Sequence, residues 1–229
     1  MEKGKTQLIL KYEGETAHEA FDQRGVVEPI PRQHDENLSL FVEHGLTSRL
    51  TLQGKLGWTR GGDAFNSYGG RGPIDFGARY VVLKTSRSVV SVYAGGVLAG
   101  EGPNTAHSAR KAGDPGVEVR LLAGRSGTLW KRHVFGEVQL AQLNSKRLPT
   151  ETRVETTIGF EPRRRWLLLA QTYAGREDQK PVASLWLKSE WSVIHDVGPW
   201  RLQAGWRAAQ IGVESPVTRG PMVALWRTF

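Results

Sequence analysis

The stretch that decides the fold runs from Leu38 to Trp58 and consists of two alternating runs around one tight turn. The first run is Leu38-Ser39-Leu40-Phe41-Val42-Glu43, and the second is Leu50-Thr51-Leu52-Gln53-Gly54-Lys55-Leu56-Gly57-Trp58. In both runs one side carries Leu, Val and Trp while the other carries Ser, Glu, Thr, Gln and Lys, a period of two that is typical of β-strands. Residues 45–48 are long enough only for a hairpin turn, so we expect the two runs to pair antiparallel.

The same alternation recurs to the end of the 229-residue chain. It predicts about twelve strands and no helix of useful length. The predicted strands cover residues 6–15, 38–43, 50–58, 74–84, 89–99, 117–123, 134–143, 152–160, 166–173, 183–193, 200–210 and 221–229. The polar segment 17–35 and the Gly-rich segment 60–73 are predicted to be loops. No Pro/Gly/Ser linker divides the chain, so residues 1–229 are predicted to form one all-β domain.

Composition narrows the class of protein further. No run approaches the roughly 18 consecutive apolar residues that a membrane-spanning helix needs. The chain has no Cys, which excludes a disulfide scaffold and a thiolate metal site. Met1 to Lys5 lead directly into a strand with no apolar signal segment. We therefore expect either a cytosolic protein or a chain whose signal peptide has been replaced by an initiator Met.

The predicted connections differ in length between the two ends of the strands. Connections after odd-numbered strands are the longer ones, above all for the first three, whereas those after even-numbered strands are short. Transmembrane barrels of the bacterial outer membrane have this asymmetry, together with an even number of strands. A soluble sandwich has no physical reason to sort its connections by end.

The tryptophans also follow the ends of the strands. Five of them fall at or near short connections: Trp130, Trp166, Trp191, Trp200 and Trp226. We expect these five to form an aromatic girdle at one membrane interface. The predicted strands also have roughly the nine to eleven residues that a tilted strand needs to cross a bilayer.

The chain stops at Phe229, immediately after a strand. In this respect it resembles bacterial outer-membrane β-barrel proteins, porins and transporters among them, whose mature chains commonly end in an amphipathic strand with a terminal Phe that the barrel-assembly machinery reads. Arg227 stands where that family usually has an aromatic residue, with Trp226 beside it, so the register of the last strand is left open. The resemblance implies a closed, antiparallel, up-and-down transmembrane β-barrel, monomeric, in the outer membrane of a Gram-negative bacterium and surrounded by lipid and lipopolysaccharide.

In such a barrel the polar face of each strand lines the lumen. The residues predicted to line it and to set its selectivity are Lys11, Lys55, Asp75, Arg79, Glu118, Arg120, Glu137, Arg153, Glu155, Lys188, Glu190, Arg201 and Arg207. Glu13 and Glu43 occupy the same face of their strands and are also predicted to point into the lumen. Two interpretations stay open: the charges pair into a structural network, or unpaired Arg and Lys steer anionic solutes. A barrel of about eight strands is filled by its side chains, and one of about sixteen strands encloses an aqueous channel. We therefore expect any pore through a barrel of twelve strands to be narrow.

We attribute the net charge of +8 to basic residues in the connections between strands, where Arg and Lys recur. At the long-loop rim they are suited to the phosphates of lipopolysaccharide, and at the other rim to anionic phospholipid head groups. Nucleic-acid binding is not expected, because the charge is spread over both rims and no recognition module is present.

Catalysis is considered because some outer-membrane barrels are hydrolases. His18, His34 and His107 lie in predicted long loops, with Asp22 and Asp35 beside the first two, but no known hydrolase motif surrounds them. The loop carboxylates lack the spacing of a dedicated calcium site. We expect no catalytic residue, metal or cofactor. The predicted function is passive diffusion of small solutes, with anions as the favoured class; the alternatives are a structural or adhesive barrel with a sealed lumen and an outer-membrane lipase or protease.

Overall fold

The computed structural model describes residues 1–102, 113–178 and 182–229, and twelve long strands account for most of them. Among these residues no helix is long and apolar enough to cross a membrane. A two-residue segment, β12 (Ser215–Pro216), precedes the last strand. The long strands are β1 (Thr6–Phe21), β2 (Val27–Gly45), β3 (Leu50–Gly62), β4 (Ser67–Lys84), β5 (Ser88–Leu98), β6 (Pro115–Leu129), β7 (Arg132–Ser145), β8 (Glu151–Arg163), β9 (Trp166–Glu177), β10 (Ser184–Val197), β11 (Trp200–Val213) and β13 (Arg219–Thr228).

The long strands form one closed sheet in up-and-down order. Each strand pairs antiparallel with the next along the chain, and β1 pairs both with β2 and with β13. The closing ladder runs from Gln7 opposite Thr228 to Thr16 opposite Arg219. The predicted closed antiparallel barrel of twelve strands is therefore confirmed.

The barrel is apolar outside and charged inside, the reverse of a soluble domain. On β3, Leu52, Leu56 and Trp58 are 44%, 51% and 62% exposed. In contrast, Glu118 and Glu190 point to the other face of the sheet and are 3% and 0% exposed. Since side chains alternate across a strand, each strand presents one row to the outside and one row to the interior. The outer rows form the apolar band that hydrocarbon requires.

The connections at one end of the barrel are uniformly tight. Three of them contain two residues each, at 130–131, 164–165 and 198–199. Trp130 and Lys131 both have positive φ angles, 49° and 62°, which is the backbone twist of a two-residue hairpin turn. At the opposite end the segment between β5 and β6 spans residues 99–114. The connections at 22–26 and 63–66 contain only five and four residues, so of the three long connections that were predicted only the third is long. We refer to the two ends as the short-turn end and the long-loop end.

Two segments predicted as loops are strands instead. The segment 17–35 continues the β1–β2 ladder up to Phe21 opposite Val27, with a register shift after Ala17. The Gly-rich segment 60–73 similarly pairs β3 with β4 as far as Gly62 opposite Ser67. Both extensions lie beyond the apolar band, where water bathes both faces of the sheet. The apolar–polar alternation that identifies a strand in a sequence is therefore missing there.

The five predicted girdle tryptophans do not share one depth. Trp130, Trp166 and Trp200 lie at the short-turn end, as expected for a girdle. Trp191 points outward but lies six residues before the end of β10 (197 − 191), beside its cross-strand partner Trp206. Trp226 points inward, because its indole Nε1 donates a hydrogen bond to Oε1 of the buried Gln203 at 2.9 Å. Trp226 faces inward because side chains alternate along β13, although it lies near the short-turn end of that strand.

The register of the last strand explains the departure at Arg227. Arg227 lies opposite Leu8 of β1 and Trp200 of β11, on the outer face. Its guanidinium stacks on the rings of Trp200 and Phe229, at 4.7 and 5.1 Å from their centroids. The position that usually holds an aromatic residue thus holds a cation that contacts two aromatic rings of the short-turn rim.

Inner-face glycines make room for aromatic rings, and Gly95 provides a test of this packing. A Cβ at Gly95 would collide with the Tyr93 hydroxyl and would lie 2.5 Å from the carbonyl oxygen of Phe76. We expect Gly95→Ala to lower the free energy of unfolding by about 1–3 kcal/mol, as overpacking does. The matched control is Gly124→Ala on the same inner face, whose Cβ would meet nothing closer than 3.4 Å. Urea unfolding of the detergent-folded barrel measures both, and equal effects would contradict the packing argument.

Candidate functional site: the charged inner face

The thirteen residues predicted to line the lumen all occupy inward positions in the strand registers. Lys55 lies opposite Asp75, Arg153 opposite Ala141, and Glu190 opposite Arg207. None of their immediate neighbours in sequence shares that face, because the side chains alternate. The structure gathers most of the thirteen into two clusters of ion pairs.

The first cluster joins β1, β10 and β11. It contains three carboxylates and three cations: Glu13, Glu15, Glu190, Lys11, Lys188 and Arg207. The Arg207 guanidinium contacts Glu13 and Glu190, both at 2.6 Å, and its ring-stacking partner is Tyr173, whose centroid is 4.7 Å away. A guanidinium can bind several carboxylates at once because its five N–H donors point outward in a planar fork.

Several ion pairs of this cluster span non-neighbouring strands. Lys11 Nζ on β1 lies 3.1 Å from Glu190 Oε2 on β10, although β13 and β11 lie between these two strands in the sheet. Lys188 on β10 likewise reaches Glu15 on β1, at 2.8 Å. These contacts cut across the inside of the curved wall. They therefore hold its curvature as well as neutralise the charges.

The second cluster joins β6 and β8 and is built around Arg153 of β8. Arg153 binds Glu151 at 2.7 Å and Glu155 at 3.3 Å, and it also binds Glu118 on β6, two strands away. Arg120 binds the same Glu118 and lies over the Tyr93 ring, 4.7 Å from its centroid. One guanidinium thus serves three carboxylates, two of which are nearly inaccessible to solvent.

The remaining predicted positions are more dispersed. Arg79 contacts Glu43 at 3.2 Å on the β2–β4 wall, and Arg201 contacts Asp196 at 2.7 Å at the short-turn end. Glu137 accepts a hydrogen bond from Gln139 and borders a cavity of about 380 Å³ near the β4–β5 turn.

Four inward carboxylates were not predicted to line the lumen: Asp35, Glu151, Glu177 and Asp196. Asp35 and Glu177 lie on strand extensions that the sequence presents as loops, Glu151 lies one residue before its predicted strand, and Asp196 lies in a predicted turn. Correct strand limits would have given their parity. Asp35 accepts a hydrogen bond from the Tyr68 hydroxyl, and Glu151 lies opposite Glu177 across β8 and β9.

Part of the inner wall is apolar, which the predicted polar lumen did not include. Leu167, Leu169 and Ile194 are 5%, 6% and 1% exposed and pack together on β9 and β10. Phe135 of β7 and Trp226 of β13 pack against them. This apolar patch lies in the short-turn half, whereas the two ion-pair clusters lie farther toward the long-loop end.

The five histidines of the described residues lie in separate surroundings. His44 Nδ1 pairs with the Thr6 hydroxyl at 2.9 Å, His133 lies 3.4 Å from Glu161, and His195 stacks on Trp166. His107 lies outside the described residues. His18 and His34 lie near Asp22 and Asp35 in the sequence. Asp22 accepts hydrogen bonds from the backbone N–H groups of its own turn. In the described part of the chain no group of three or more His, Cys, Asp or Glu could hold a metal ion.

Comparison with known proteins places the fold. No protein-family model and no curated protein matches the chain. Among solved structures, an outer-membrane channel from Pseudomonas putida F1 superposes with a TM-score of 0.73 at 14% identity, covering 100% of this chain and 97% of its own. The NanC porin gives 0.58 at 6% identity, covering 96% and 98%. The translocator domain of the autotransporter NalP from Neisseria meningitidis gives 0.56 at 11% identity, covering 100% and 90%.

The fold is that of a bacterial outer-membrane β-barrel. At these identities the likeness concerns the fold alone, since barrels of one architecture host several activities. What this outer-membrane barrel does must therefore be argued from its own inner face.

The Arg153 cluster predicts a difference between inner and outer ion pairs. We expect Arg153→Met to lower the free energy of unfolding by about 3 kcal/mol, because three carboxylates would lose their shared cation in a confined site. The control is Arg60→Met at the long-loop rim. Arg60 also binds a carboxylate, Glu36, at 2.7 Å, but its side chain is 70% exposed, so we expect a loss below about 1 kcal/mol. Similar losses in urea unfolding would contradict a special role for the inner cluster.

Proposed function

We propose that this barrel is a passive channel of the bacterial outer membrane for small polar solutes. The observation that carries the proposal is the partial exposure of charged side chains on the inner face. Lys11, Arg79, Arg120 and Glu155 have 20%, 20%, 23% and 26% of their side-chain surface accessible. These residues point away from lipid, so the accessible surface faces a lumen that holds water.

The course of the backbone supports an open path. Apart from β1 and β11, which approach each other across β13, the strands of the described residues with more than a few contacts approach their neighbours around the sheet and the short segment β12. A barrel of twelve strands nevertheless encloses little space, so the proposed path suits ions and small metabolites and excludes large molecules.

The names of the neighbouring structures agree with this proposal. One is described as an outer-membrane channel and another as a porin. A membrane location also follows physically, because a barrel with an apolar exterior has its lowest free energy in a bilayer. We assign it to the outer membrane on its likeness to solved outer-membrane barrels. Lipid, lipopolysaccharide and the barrel-assembly machinery are then the proposed partners, with the barrel acting as a monomer.

The preference for anions that the sequence suggested has lost its basis. That preference required unpaired Arg and Lys on the inner face. Seven of the eight cations that were predicted to face the lumen bind carboxylates: Lys11, Arg79, Arg120, Arg153, Lys188, Arg201 and Arg207. The proposal is therefore restricted to small polar solutes.

Single-channel recording tests the proposal directly. In a planar bilayer with symmetric KCl, we expect the purified barrel to give discrete current steps. Phe135→Ala should enlarge the steps, because Phe135 projects from the inner wall, whereas Trp191→Ala on the outer face should leave them unchanged. A barrel that inserts and stays silent would support the sealed structural alternative instead.

A further inference from the structure

We propose that Lys55 and Asp75 on the inner face form a binding site for zwitterions, small solutes that carry both a carboxylate and an ammonium group. The inference rests on the proposed channel function, because a solute reaches these two side chains only through the lumen. Lys55 binds the carboxylate of the solute, and Asp75 binds its ammonium group.

The pairing of β3 with β4 brings the two residues together. Lys55 and Asp75 lie directly opposite each other in the ladder between these strands. Their side chains point into the barrel, since their sequence neighbours Leu56 and Phe76 are 51% and 60% exposed on the outer face. Opposite residues of an antiparallel pair have Cβ atoms about 5 Å apart, so one small solute can contact both side chains.

Neither charge is neutralised by a partner in the wall. Within residues 1–102, 113–178 and 182–229, neither Lys55 nor Asp75 forms an ion pair or a side-chain hydrogen bond, although they face each other. The other seven cations that were predicted to face the lumen all bind carboxylates. The inner face therefore presents an ammonium and a carboxylate side by side, each with hydrogen-bonding capacity for a solute.

The residues on either side of the pair are apolar. In the same row across the sheet, Phe41 of β2 lies opposite Lys55, and Val97 of β5 lies opposite Asp75. Phe41 and Val97 offer no charge that could replace the solute. Their apolar side chains also lower the local dielectric constant, which strengthens a charged contact made between them.

The wall leaves room for a solute beside Lys55. Gly57 follows on the same face of β3, and a Cβ added there would meet nothing closer than 3.5 Å. No side chain from this position covers the ammonium group of Lys55. Lys55 and Asp75 are both partly accessible to solvent, as a binding site in a lumen requires.

The presence of both charges selects the class of solute. An anion is attracted by Lys55 and repelled by Asp75, and the reverse holds for a cation. A solute with one charge therefore loses at one residue what it gains at the other. A zwitterion aligned with the pair gains at both, through two charge-assisted hydrogen bonds.

Block of the single-channel K⁺ current measures binding. Glycine and 4-aminobutyrate, which differ in the spacing of their charges, serve as probes. We expect at least one of them to reduce the wild-type current in a saturable manner. Lys55→Met and Asp75→Asn should each raise the half-blocking concentration about tenfold, the effect of losing one charge-assisted hydrogen bond. Acetate and methylammonium, at equal ionic strength, should block more weakly than the zwitterion.

Variants that keep the charges separate binding from a change in the shape of the wall. Lys55→Arg and Asp75→Glu should each retain the block. Lys55→Asp combined with Asp75→Lys exchanges the two charges between the strands and should also retain it, with the zwitterion bound in the opposite orientation. Lys55→Asp alone should abolish the block, because two carboxylates then face each other.

The outcomes distinguish this site from the channel proposal. Current steps that neither zwitterion blocks, or a block unchanged in Lys55→Met or in Asp75→Asn, would overturn the two-point site and leave the channel standing. Complete absence of current from an inserted barrel would overturn the channel, and the site with it. A block that weakens in both variants and returns when the two charges are exchanged would support both proposals.

Discussion

Backbone hydrogen bonding in lipid is the constraint on which this structure depends. A strand edge exposed to hydrocarbon would leave its N–H and C=O groups without partners, at a cost of several kcal/mol each. The ladder between β1 and β13 removes that edge. Closure also fixes which face of every strand meets lipid and which meets the lumen. The exposed leucines and the buried glutamates of the same sheet follow from it.

The inner face holds many charged side chains close together in a confined space. Carboxylates and cations share partners across strands, so that Arg153 serves three carboxylates and Arg207 reaches both β1 and β10. This sharing stabilises the wall, because each cation compensates more than one carboxylate. The apolar patch around Ile194 completes the lining at the short-turn end. The lumen is therefore asymmetric along its axis, with its charges concentrated toward the long loops.

The strands that cross the apolar band could be predicted from the sequence, and the strands beyond it could not. Between Leu38 and Trp58 lipid lies on one side and the lumen on the other, which imposes the alternation that reveals a strand. Around Val27 both faces meet water, so the polar segment gives no such signal although it is paired. These errors in strand limits concealed Asp35 and Glu177. Ion pairs such as Lys11 with Glu190 could not be predicted either, because their partners are 179 residues apart and meet only after closure.

The most direct test of the account is the chemical accessibility of neighbouring positions on one strand. The chain has no Cys, so single substitutions report without background. Gln139 points to the lumen, where it bonds to Glu137, and Leu140 is 50% exposed on the outer face. In proteoliposomes a water-soluble, membrane-impermeant thiol reagent should modify Gln139→Cys and spare Leu140→Cys, which lipid covers. Modification of Leu140→Cys, or none at Gln139→Cys, would contradict a water-filled barrel embedded in the membrane.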